Sequence, residues 1–95
     1  LAENFNFKRI HFELGFLRYS NDDFTLALDS FIQAITIEPK YANAKYYLGL
    51  TLVKLNRLDE ARQQFEELLL TNPESVEVQS VLQEVEKALK AKGSR

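Results

Sequence analysis

Two prolines, Pro39 and Pro73, stand 34 residues apart and set the frame for the rest of the chain. Sliding the sequence by that distance also superimposes Leu14 on Leu48, Gly15 on Gly49, Ala27 on Ala61 and Phe31 on Phe65. These five are the only identities in the 34 aligned pairs. Their kind matters more than their number: two small residues, one aliphatic, one aromatic and one helix stop. A period between 20 and 50 residues marks a stacked-repeat architecture, in which a single unit cannot bury its own apolar face.

Between the matched positions the periodicity is helical. Ile10, Leu14 and Leu17 recur at i, i+4, i+7, which places them on one helix face. Gly15 interrupts that helix at a cost of about 1 kcal/mol relative to Ala. Its recurrence at Gly49 favours close approach of a neighbouring helix. Ser20-Asn21-Asp22-Asp23 reads as a turn and cap, with Asp22 or Asp23 accepting from the next helix start. The following helix carries Phe24, Ala27, Leu28, Phe31, Ala34 and Ile35. With Leu26, Ile32 and Ile37 it is apolar around most of its circumference, which predicts burial on several sides. Pro39 stops it, because the residue before a proline avoids the helical region.

The second unit repeats the plan. A helix is expected over about 41–54, a turn at Asn56-Arg57, and a helix over about 58–71 carrying Leu58, Ala61, Phe65, Leu68 and Leu69. Asn72-Pro73 ends it, and Asn72 or Ser75 caps the last helix. Val78, Val81, Leu82, Val85 and Leu89 give that final stretch, 76–91, a one-sided apolar stripe, with 92–95 a polar tail. Lys87, Lys90 and Lys92 suit the negative end of its helix dipole.

Composition removes several functions. Twelve basic against fourteen acidic residues give a net charge of −2, a poor footprint for nucleic acid. No cysteine and one histidine, His11, leave no thiol chemistry, no disulfide and no multi-imidazole metal site. No apolar run approaches the ~20 residues of a membrane span. Glu13 and Lys8 near His11 read as surface charge, and Ser30 and Thr36 have no base at a useful spacing. No glycine-rich phosphate loop is present. No cofactor and no catalysis are expected.

A 34-residue helix–turn–helix unit with these residues resembles the tetratricopeptide repeat. With the proline placed at repeat position 32, unit one is 8–41 and unit two 42–75. Leu14, Gly15, Ala27, Phe31 and Pro39, then Leu48, Gly49, Ala61, Phe65 and Pro73, fall on the family's signature positions. His11 and Lys45 depart from it where Trp is common, Arg18 and Leu52 where Tyr is common, and Leu68 where Ala is common. The resemblance implies an all-α, α-α superhelix: a helical-hairpin solenoid of five antiparallel helices, two repeats plus a capping helix, in one domain over 1–95. Because the chain starts at Leu1, it is expected to be part of a longer protein. A cytoplasmic setting is the first expectation, with a periplasmic one or a soluble domain of a membrane protein as alternatives.

The resemblance further implies a non-catalytic interaction or scaffold module, whose first helices line a concave groove for a partner protein or peptide. Carried over by position, the groove residues are Arg9, Phe12, Phe16, Tyr19 and Ser20 in unit one. Asn43, Tyr46, Leu50, Val53 and Lys54 take those positions in unit two, and Glu77, Ser80, Glu84, Lys87 and Ala88 on the closing helix. The spacing of Arg9, Phe12, Phe16 and Tyr19 stands without the family, and Phe5 continues it backwards. The first helix thus shows two apolar faces, one for its repeat partner and one left over. Two readings of the leftover rings stay open: anchors for an amphipathic helix or extended segment, or rings buried against one another in a tightly curled array. Homo-oligomerisation or intramolecular docking is the alternative use of the same patch. The family subclass that grips terminal carboxylates fits less well, since only Arg9, Asn43, Lys54 and Lys87 could serve it and the centre is hydrophobic.

Overall fold

Asn6 caps the first helix: its Oδ1 accepts from the Arg9 backbone N–H at 3.1 Å. The computed structural model describes residues 6–93. Among them run α1 (Phe7–Ser20), α2 (Phe24–Ile37), α3 (Ala42–Lys54), α4 (Leu58–Thr71) and α5 (Val76–Gly93). Phe5, Ser94 and Arg95 of the expected groove face and tail lie outside the described residues. The capping helix runs two residues beyond its expected end at 91.

Each hairpin closes in the same way. Asp22 and Asn56, 34 residues apart, take left-handed φ values of 63° and 60°. At each of these turns one N–H reaches back five residues, Asp23 to the Arg18 carbonyl and Arg57 to the Leu52 carbonyl, both at 2.8 Å. The residue before it bonds back three, Asp22 to Tyr19 at 3.0 Å and Asn56 to Val53 at 2.9 Å. This paired 6→1 and 5→2 pattern is a Schellman close, and Asp and Asn tolerate the required left-handed residue better than most. It corrects the expectation for Asp22 and Asp23: Asp23 occupies the N-cap of α2, but no side-chain cap bond forms there. Ser75 does cap α5, its Oγ accepting from the Val78 N–H at 3.3 Å.

The helices pack in chain order, α1 on α2, α2 on α3, α3 on α4 and α4 on α5, into a body 55 × 29 × 18 Å. Phe31 and Phe65 are fully buried between their hairpin arms, surrounded by Ala27, Leu48, Leu52, Leu58, Ala61, Leu68, Val78 and Val85. The glycines explain how the arms come close enough. A β-carbon at Gly15 would stand 2.7 Å from the Phe31 ring. Buried hydroxyls are partnered locally: Thr51 donates to the Tyr47 carbonyl at 2.6 Å, and Arg18 donates to Ser30 Oγ at 2.8 Å.

Two expectations about faces are overturned. Ile10, Leu14 and Leu17 do not form the buried face of α1; they are 44%, 37% and 58% exposed. Gly15 is the buried residue of α1 instead, with Phe12 and Tyr19 half-buried on its side. Leu26, Ile32 and Ile37 are also exposed, so α2 buries one broad face through Ala27, Ser30, Phe31 and Ala34 rather than most of its circumference.

Candidate functional site

The residues expected to form the groove sit on α1, α3 and α5, the first helix of each unit and the closing helix. Period and rise fix their alignment: residues 34 apart occupy equivalent points on successive helices, so Phe12, Tyr46 and Ser80 form one rung and Phe16, Leu50 and Glu84 another. Across these two rungs the character changes from aromatic on α1, through mixed apolar on α3, to polar and acidic on α5, while a third rung, Tyr19, Val53 and Lys87, ends on a cation.

Rings dominate the α1–α3 half. Tyr47 lies at the centre, with ring centroids of Phe12, Phe16, Tyr19, Phe31 and Tyr46 all between 5.2 and 6.1 Å away. Most of these contacts are edge-on, the geometry favoured by the ring quadrupole. Phe12 and Tyr19 are half-buried by this packing, and Phe12 also meets Tyr41 at 5.3 Å. Phe16 touches Tyr47 at 5.2 Å and still remains 43% exposed. Burial, then the neighbouring Tyr47 and Tyr46 phenols and Asp22, push the Tyr19 phenol above its ordinary value. Burial, then Glu77 and Tyr47, do the same for Tyr46.

Tyr47 itself escapes sequence reasoning. Its partner under the 34-residue shift is Glu13, so comparison of the units gives it no signal. The only hint is the adjacency of Tyr46 and Tyr47 on one helix, which places rings on two neighbouring faces of α3.

The other residues expected in the groove lie outside this ring cluster. Arg9 is exposed and bonds Glu13 at 3.0 Å, one turn on. Asn43 is exposed and borders two depressions, one of about 430 Å³ with Lys8, Arg9 and Lys40, and one of about 190 Å³ with Tyr46 and Glu77. Leu50 and Val53 are half-buried against the core. Lys54 lies over the Phe24 ring, 5.9 Å from its centroid, and that ring in turn packs edge-on against Tyr19. On α5, Glu77, Ser80, Glu84 and Val81 join Tyr46 around an open cleft of about 530 Å³. Tyr46 therefore borders clefts on two sides. Among the described residues no group of three or more His, Cys, Asp or Glu side chains could hold a metal ion, and no helix is long and apolar enough to cross a membrane.

The family model described as tetratricopeptide repeat matches residues 18–85, from the last turn of α1 to the middle of α5. The chain belongs to the tetratricopeptide repeat family. Tetratricopeptide repeats are protein-interaction modules, typically without catalytic activity, and their hairpin stack is the fold seen here. The left-handed Asp22 and Asn56 and the glycine–phenylalanine contacts recur at equivalent points of this chain's two units. No curated protein matches the chain.

Proposed function

We propose that this tetratricopeptide repeat domain binds a segment of a partner protein across the α1–α3–α5 face, without catalysing a reaction. The observation that carries this reading is Phe16. It is a large ring held in place from below by Tyr47 and left open above, a preorganised anchor that loses little freedom on binding. Phe12 and Tyr19 support it from inside the cluster and act chiefly as floor. The open cleft beside Tyr46 supplies a second point of attachment.

The change of character along the rungs indicates what fits. The α1 side offers rings; the α5 side offers Glu77 and Glu84 at the rim of the Tyr46 cleft. The complementary segment carries an apolar side chain for Phe16 and a cation for the α5 side, the spacing of an amphipathic helix or a short extended peptide.

Panning a random peptide library against the whole chain tests the reading. Enriched peptides should share one apolar and one basic position. Phe16→Ala should weaken their binding at least tenfold, and Glu84→Gln should weaken it less and flatten its salt dependence. A library that yields no shared pattern, or binders indifferent to Phe16, would refute it.

A further inference from the structure

Phe12 and Tyr46 occupy the same point of successive units, yet their surroundings differ. Among the rings around Phe12 are Tyr41, its centroid at 5.3 Å, and Tyr47, at 5.9 Å. Thirty-four residues on, the places of Tyr41 and Tyr47 are taken by Ser75 and Val81. Ser75 lines the depression of about 190 Å³ beside Tyr46, and Val81 lines the cleft of about 530 Å³. By the period, each of these spaces is one that a ring fills a unit earlier. Tyr46 still touches Tyr47 at 5.5 Å and Phe65 at 5.9 Å, so its own ring is held while the space beside it stays open.

A space of that origin calls for a flat group, and the rim of the larger cleft sets its charge. Glu77, Ser80 and Glu84 follow at i, i+3, i+7 on one face of α5 and border the cleft together with Tyr46 and Val81. Among the described residues neither glutamate has an ion-pair partner, and Lys87, one turn beyond Glu84, does not bridge to it. Burial first, and then Glu77, raise the Tyr46 phenol above its ordinary value, which sets that carboxylate near the ring. A neutral ring entering here would desolvate carboxylates without answering their charge. A lysine ammonium answers the charge, but it is compact, strongly hydrated and not flat. A guanidinium is flat, cationic and weakly hydrated, and it stacks on a ring while its edge donates to a carboxylate.

We propose that the cleft between Tyr46 and α5 is an arginine site for a partner protein. The guanidinium lies against the Tyr46 ring, its N–H groups donate to Glu77, its aliphatic stem covers Val81, and Glu84 adds charge at the far rim. This site rests on the reading of the α1–α3–α5 face as a partner surface, and it names the side chain that the α5 side selects. It makes no use of Phe16, so the two can fail separately.

Titrating the isotope-labelled full chain with N-acetyl-arginine amide, followed by amide NMR, tests the site without any partner segment. Saturable shifts should centre on Tyr46, Ser80 and Val81. The arginine compound should bind about threefold more tightly than N-acetyl-lysine amide, the worth of an exposed ring–cation contact. The paired variant Glu77→Gln, Glu84→Gln should remove the shifts with an unchanged circular dichroism spectrum, since both side chains are exposed. Val81→Tyr, which copies Tyr47 one unit on, should close the cleft and remove them as well; should that variant not fold, the glutamine pair decides. Phe16→Ala should leave the shifts in place. Shifts that do not saturate, equal affinity for the lysine compound, or shifts that survive the glutamine pair overturn the proposal. Library peptides that depend on Phe16 but carry lysine and arginine equally at their basic position would overturn the arginine site alone and leave the partner surface standing.

Discussion

A β-carbon added to Gly49 would lie 2.5 Å from Cζ of Phe65, inside the van der Waals envelope of a ring with no free space around it. The glycine is there because the ring is. Gly49→Ala should gain about 1 kcal/mol of helix propensity and lose more than that by overpacking, about 1–3 kcal/mol. The net result is a lower urea midpoint. Shrinking the ring should answer the clash: Phe65→Leu in the Gly49→Ala background should cost less than the sum of the two single changes. Strict additivity in that cycle would refute direct contact as the cause.

Tyr47 makes a second, separable case. Its ring joins five others, and the stabilisation lies in that ring packing rather than in its hydroxyl. Tyr47→Phe should change stability by less than about 0.5 kcal/mol, and Tyr47→Ala by about 3–5 kcal/mol, the range for removing a large aromatic from a packed site. Thermal unfolding of the two variants checks this. A costly Tyr47→Phe would mean that the hydroxyl, and not the ring, organises the cluster.

Asn56 holds a left-handed backbone with an L side chain. Asn56→Gly should be neutral or stabilising by up to about 1 kcal/mol, and Asn56→Val destabilising by about 1–2 kcal/mol. Asp22, at the same point of the first hairpin, should respond with the same signs. Urea unfolding of the four variants reads this out, and opposite signs at the two sites would show that the turns are not energetically equivalent.

Alkaline pH should weaken the fold through Tyr19 and Tyr46. Both phenols have folded pKa values raised above 10.0, burial being the first cause. A group raised in the folded state keeps its full contribution below the unfolded value and loses it as pH climbs through the folded value. The urea midpoint should therefore be level up to about pH 10 and fall above it. The paired variant Tyr19→Phe, Tyr46→Phe should flatten the fall. An equally steep fall in that variant would assign it to other groups.

Much of the architecture was legible from the residues alone because stacking repeats a local pattern. Pro39 and Pro73, the two glycines and the two phenylalanines each act on a neighbour within one hairpin, so their spacing carries the geometry. The faces of α1 were not legible for the same reason. Ile10–Leu14–Leu17 and Phe12–Phe16–Tyr19 are both apolar rows at helical spacing, and periodicity does not rank them. Gly15 decides, by admitting Phe31 on one side only. Leu48 is buried and its counterpart Leu14 is not, because α2 precedes one and no described helix packs over the other. Position in the array is a tertiary fact. For the candidate groove, the alignment of α1, α3 and α5 came from the period, whereas the Tyr47 hub, having Glu13 as its counterpart, did not.

Apart from the rings that α1 sets against Tyr47 of α3, the helices touch chiefly in the order in which the chain writes them, and this sets how the protein comes together in time. Few contacts require distant stretches to find each other, so the loop-closure cost of assembly is small. Such a chain should fold in microseconds to milliseconds. Coupling between units runs only through nearest neighbours, so opening should begin at an end and travel inward. Amide protons of α1 and of the last turns of α5 should exchange first, and those around Gly49 and Phe65 last.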